Sequence, residues 1–196
     1  QSTMCYDINH GHVLAGGNYW VENFGKLTKN IRSNITENKN NPILAGEGCG
    51  ESWLPYLDLM LTLQVSMERY AGGNRGKPIP MFQAVYHEYA ITYGNYSSLL
   101  IPPYDELWPK EYAPKEPLKL LSKDYNKQFL MEQARSFAWG LQPTIANYQP
   151  FLHSDRKIEA QFLMDLAKLR YNGLKYLLYG KFLRSPDFDP PEEQLE

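Results

Sequence analysis

The apolar positions fall into two kinds of pattern. Trp20, Phe24, Leu27 and Ile31 recur at helical spacing after Gly16-Gly17-Asn18, and they predict a helix over 19–32. A polar, Asn-rich stretch over 33–41 reads as the loop that follows. Ile158, Phe162, Leu166 and Leu169 form another stripe and predict the longest helix, over 155–178, with Ser154 as its cap. The segments 53–67 and 124–137 also read as helices.

Short apolar runs lie between these segments. Pro42-Ile43-Leu44-Ala45 is stopped by Gly46-Glu47-Gly48-Cys49-Gly50-Glu51, as a buried parallel strand would be. After a loop at 71–76, Ile79 to Tyr86 reads as a further strand, running into His87-Glu88-Tyr89. Residues 3–12 and 138–144 look like strand ends. A proline-rich stretch over 95–119 has few periodic signals, which marks a functional or mobile segment.

Short strands alternating with helices predict an α/β fold with a parallel sheet and outer helices. The pattern leaves a closed barrel and an open sheet equally possible. In both, ligands bind at the C-terminal ends of the strands. The polar clusters of this chain follow its apolar runs, which is the main argument for a site there.

Composition changes little. The 196 residues fit one domain, with 43% hydrophobic and 21% charged residues. A net charge of −2 gives no electrostatic reason to expect nucleic acid or an anionic membrane. No apolar run reaches the ~20 residues of a membrane span. Fifteen Tyr and four Trp offer flat faces on which sugar rings stack, although composition alone favours a Tyr-rich core and surface. Cys5 and Cys49 make no disulfide framework and read as small buried thiols. The chain opens on Gln1 without a signal peptide, so a leader or a larger N-terminal portion is expected to be missing. Compartment stays open, with the periplasm or cell exterior favoured if glycans are the substrate.

Several motifs are absent from the sequence: Gly-x-Gly-x-x-Gly, the phosphate loop, the Gly-x-Ser-x-Gly elbow and Cys-x-x-Cys. Asn34-Ile35-Thr36 and Asn95-Tyr96-Ser97 match glycosylation sequons, triplets that also arise by chance.

Three clusters carry candidate chemistry. Glu47 sits between glycines at the mouth of an apolar strand, where desolvation can raise a carboxyl towards the range a general acid needs. It could instead cap the next helix, a role that suits Glu51 better. His87 and Glu88, with Tyr86, Tyr89 and Tyr93 nearby, could hold sugar hydroxyls, or His87 could be satisfied by a backbone carbonyl. In the third cluster, Asp7, His10 and His12, the His-x-His spacing suits a metal on a strand. Gly11 and Asn9 suggest a loop, where that geometry is not imposed. Trp139 and Gln142 offer a platform and an amide donor, or only core and turn.

Cys5-Tyr6-Asp7…His10-Gly11-His12, Gly16-Gly17-Asn18-Tyr19-Trp20, Glu47-Gly48…Glu51 and Val85-Tyr86-His87-Glu88-Tyr89…Tyr93-Gly94 together show a resemblance. They resemble a bacterial family of glycoside-hydrolase-like TIM barrels of unknown function, distantly similar to endo-α-N-acetylgalactosaminidase and α-amylase barrels. The resemblance covers about 5–184. It implies that 1–184 is the C-terminal half of a (β/α)8 barrel and that 185–196 is a tail or linker. It also implies retaining hydrolysis with Glu47 as acid/base, the nucleophilic Asp lying on a strand upstream of Cys5. Asp7, His10, His12, His87, Glu88, Tyr89, Trp139 and Gln142 would then contact a carbohydrate substrate. No cofactor or metal is expected.

A full barrel needs roughly 250 residues and eight strands. Half of one would expose strand edges, so association of copies is expected and catalysis by this chain alone is not. Two other readings stand beside this one: a metal-dependent barrel hydrolase using His10, His12 and His87, and a carbohydrate-binding module without catalysis.

Overall fold

The computed structural model describes residues 4–36, 41, 43–62, 79–95, 98–101, 109–113, 115, 119–120, 126–145 and 148–183. The expected loop at 71–76 and the tail over 185–196 lie outside the described residues.

A short loop opens the chain. Cys5 and Ala15 exchange both backbone hydrogen bonds, 3.1 and 2.7 Å, and close residues 5–15 into an antiparallel ring. Helix α1 follows over Tyr19–Thr36, a turn longer than the sequence predicts. Of the predicted stripe, Trp20, Leu27 and Ile31 are exposed and only Phe24 faces the core. Gly25 and Thr28 turn inward beside Phe24. Phe24 meets Trp53 edge-on at 4.8 Å, and a Cβ at residue 25 would run into the Tyr56 ring. Close approach of the helix to the chain at 53–58 therefore selects the face, rather than the count of apolar residues.

The sheet is parallel, as predicted. It comprises β1 (Ala45–Gly46), β2 (Leu59–Leu61) and β3 (Ile91–Tyr93), lying side by side in chain order. Ala45 pairs with Leu59 and Leu59 with Ile91, while Gly46 pairs with Met60 and Met60 with Thr92. A parallel bridge from Tyr93 to Gln142 continues the sheet by one more segment, the Gln142 N–H reaching the Thr92 carbonyl at 2.8 Å. Met60 is fully buried at the centre, beneath Leu57, Ala90, Phe24, Trp53 and Phe82.

Two assignments are corrected. Residues 59–61, predicted as part of a helix over 53–67, form the middle strand. The run Leu59-Met60-Leu61 is too short for periodicity to tell strand from helix, and its ladder to β3 decides the matter. Residues 81–86, predicted as a strand, form helix α2 (Met81–Tyr86). Pro80 lacks an N–H, which costs nothing at a helix start, and its carbonyl accepts the Ala84 N–H at 2.8 Å. The Phe82 and Tyr86 rings meet at a tilt one turn apart, centroids 5.0 Å, as helix neighbours do. The strand the sequence placed there comes later, at β3. Gly94, just beyond it, has φ +99° and leaves no room for a Cβ against Leu61, so only glycine ends this strand without strain.

Within the proline-rich stretch, β4 (Leu100–Ile101) pairs antiparallel with β5 (Lys119–Leu120). Helix α3 (Asn126–Ala138) matches its prediction closely. The predicted helix over 155–178 divides into α4 (Leu152–Asp155) and α5 (Lys157–Leu177). Ser154 lies inside α4, its hydroxyl donating to the Phe151 carbonyl at 2.8 Å, so it caps nothing. Helix α5 buries Glu159, Leu166 and Arg170, while Ile158 is 72% exposed. Arg156 pairs with Glu159 at 3.3 Å, and both are buried. Among the described residues, no helix is long and apolar enough to cross a membrane.

Candidate active site at the C-terminal end of the sheet

Strand β1 ends at Gly46, and Glu47 is the next residue. By register, Glu47 stands level with Leu61 of β2, Tyr93 of β3 and Gln142 of the bridged segment. It is exposed at that rim. Gly48 beside it has φ +90° and open space where a Cβ would stand. Glu51 is occupied: the Tyr86 hydroxyl donates to its carboxylate. That bond, then burial and the Glu51 charge, push the Tyr86 phenol above its ordinary value.

The direction of α1 decides where the first loop lies. Arg32, near the end of α1, donates to the Tyr56 carbonyl and the Asp58 carboxylate, and Asp58 precedes β2. The C-terminal part of α1 therefore sits at the N-terminal end of the sheet. Tyr19 is 13 residues earlier, about 20 Å along a helix. The 5–15 loop, with Asp7, His10 and His12, precedes that far end of α1.

Inside that loop the polar groups contact one another. Asp7 caps a 3-10 turn over Ile8–His10, accepting the Asn9 N–H at 2.8 Å. Its second oxygen lies 3.2 Å from His10 Nε2. His10 Nδ1 faces Cys5 Sγ at 3.1 Å. His12 donates from Nδ1 to the Val13 carbonyl at 2.8 Å and stacks flat on Tyr19 at 4.0 Å.

The second expected cluster is elsewhere. His87, Glu88 and Tyr89 follow helix α2 and precede β3, so they stand at the N-terminal end of the sheet, opposite Glu47. The expectation that they follow a strand is corrected, for the same reason that 81–86 is helical. Both ring nitrogens of His87 face carbonyls, Gln83 at 3.0 Å and Gly180 at 2.8 Å, the backbone-satisfied arrangement. His87 does not join His10 and His12. Trp139 is 2% exposed, packed with Leu141 and Phe182, and forms core rather than a platform. Gln142 reaches the rim, but its Oε1 accepts from Arg170 Nε at 3.0 Å.

The sequence marks Asn95 only as the first residue of a sequon. In the fold it is buried two residues beyond β3, its amide donating to Ser136 Oγ at 3.3 Å and the Thr144 carbonyl at 3.4 Å. A polar residue straight after a strand is the signal that could have found it.

Residues 1–97 match a domain of unknown function, DUF6259. Over 196 residues, 99% of this chain, the sequence is 25% identical to a Bacteroides thetaiotaomicron protein named "Putative glycoside hydrolase". The alignment covers 25% of that protein, so the chain spans about a quarter of the curated relative it matches. No solved structure matches. The two matches point to a glycoside-hydrolase-like family. In a glycoside-hydrolase-like chain, the exposed Glu47 at the C-terminal end of a parallel sheet is the residue of most interest.

Proposed function

We propose that this chain is part of a retaining glycoside hydrolase, with Glu47 as its general acid/base. One observation carries the reading: Glu47 leaves the C-terminal end of β1 level with Tyr93 and Gln142, at the end where α/β sheets bind ligands. Strands that lie side by side in chain order suit a (β/α)8 barrel, of which 1–184 is the C-terminal half and 185–196 a tail. The name of the Bacteroides relative supports the same class of chemistry.

Retaining enzymes set two carboxyl groups about 5–5.5 Å apart, one attacking the anomeric carbon and one protonating the leaving oxygen. Glu47 takes the second role, and an Asp on the preceding strand of the longer protein takes the first. Asp7, held by Asn9 and His10, serves the rim of the carbohydrate site together with His12. The test is Glu47→Gln in the full-length protein with an activated glycoside and azide. Rescue as a glycosyl azide of retained configuration is expected, and an unchanged rate without azide would refute the role.

A further inference from the structure

Cys5, His10 and His12 are drawn together by the closure of the 5–15 loop. One ligand atom from each lies within 4.8 Å of the others. In a tetrahedral zinc site, with Zn–S about 2.3 Å and Zn–N about 2.0–2.1 Å, ligand atoms stand roughly 3.3–3.6 Å apart. Cys5 Sγ and His10 Nδ1 are already at 3.1 Å.

The partners of the two rings supply a second, independent observation. A metal-bound histidine almost always gives its other N–H to a carboxylate or a backbone carbonyl, which fixes tautomer and ring orientation. His12 does so here, and His10 turns its other nitrogen to a carboxylate 3.2 Å away. His10 Nε2 is set against Asp7 Oδ2, so that with the proton on Nε2 the Nδ1 lone pair faces Cys5. His12 Nδ1 is taken by the Val13 carbonyl, which leaves the Nε2 lone pair. Tyr19 holds the His12 ring flat, and Asn9 holds Asp7. His87, by contrast, turns both nitrogens to carbonyls and is no ligand.

We propose that Cys5, His10 and His12 form a zinc site, oriented by Asp7 and Val13, with its fourth position open to solvent. The thiolate and two imidazoles are the borderline-soft set that suits Zn²⁺ over Mg²⁺ or Ca²⁺. On binding, Cys5 loses its S–H proton to solvent, two Zn–N bonds and one Zn–S bond form, and nothing is oxidised. This site is independent of the role given to Glu47.

The test is titration of the full chain, reduced and metal-free, with Zn²⁺ against a chromophoric chelator. One zinc per chain and one proton released per zinc are expected. Cys5→Ser, His10→Gln and His12→Gln should each abolish the competition, while His153→Gln, an exposed histidine on α4, should leave it intact. Asp7→Asn keeps all three ligands and should weaken binding by about 10–100-fold. Co²⁺ in place of zinc should give a thiolate charge-transfer band that Cys5→Ser lacks. Retained far-UV circular dichroism in each variant separates ligand loss from unfolding. Absence of stoichiometric zinc binding by the parent chain, or Cys5→Ser binding as tightly as the parent, would overturn the proposal.

Discussion

Arg32 donates through Nη2 to Asp58 Oδ2 at 2.8 Å, and the same carboxylate oxygen accepts the Leu44 N–H at 2.9 Å. One carboxylate thus joins α1, the entry to β1 and the entry to β2. Burial pushes the Asp58 carboxyl up, but the Leu44 N–H and the Arg32 hydrogen bond and charge outweigh it and hold it below its ordinary value. A depressed carboxyl contributes stability above its unfolded value and loses it as pH falls through the folded one. Asp58→Asn should therefore cost about 1 kcal/mol at neutral pH, a modest figure because both partners are partly exposed. Denaturation of parent and variant across the acid range should show the difference vanish at low pH.

Arg170 is 3% exposed and holds the last sheet segment to α5, donating to the Gly140 carbonyl at 2.6 Å and to Gln142 Oε1 at 3.0 Å. Burial lowers it from its ordinary value, but a guanidinium stays protonated at neutral pH. Arg170→Met strands both acceptors and should cost about 2–3 kcal/mol, with Arg170→Lys recovering part. Urea unfolding of the three proteins measures the effect.

Tyr86 and Glu51 give a spectroscopic test of the packing between α2 and the turn after β1. Glu51→Gln removes the acceptor charge, so the Tyr86 phenol should fall towards its ordinary value. Difference titration of tyrosinate absorbance against a Tyr86→Phe control isolates that phenol.

The parallel sheet, α1, α3 and the strand ahead of Glu47 were legible because their lengths and stops agree with one reading. The segment 53–62 was not, because three apolar residues carry no period and only the neighbouring β3 makes them a strand. The face of α1 was partly misread for a related reason: Gly25 is set against the Tyr56 ring, a contact 31 residues away in sequence. His87 no longer follows a strand because 81–86 is helical, whereas Glu47 still does because Gly46 pairs with Met60.

Trp20, Leu27 and Ile31 line the exposed side of α1 at helical spacing. An apolar stripe left in water favours association, and we expect the isolated chain to self-associate. Sedimentation at rising concentration should show this, and Leu27→Lys with Ile31→Glu should return it to a monomer. Monomeric behaviour of the parent at high concentration would count against it.

Glu47 acting as proton donor to the leaving group has a direct kinetic signature. Full-length parent and Glu47→Gln should be compared by kcat/KM on two glycosides differing only in leaving-group basicity. General acid assistance is worth about 10²–10⁴-fold, and only the poor leaving group needs it. The predicted result is a loss of that size on the poor leaving group and a far smaller one on the activated substrate. Equal losses on both, or none on the poor leaving group, would contradict it and remove Glu47 from the mechanism.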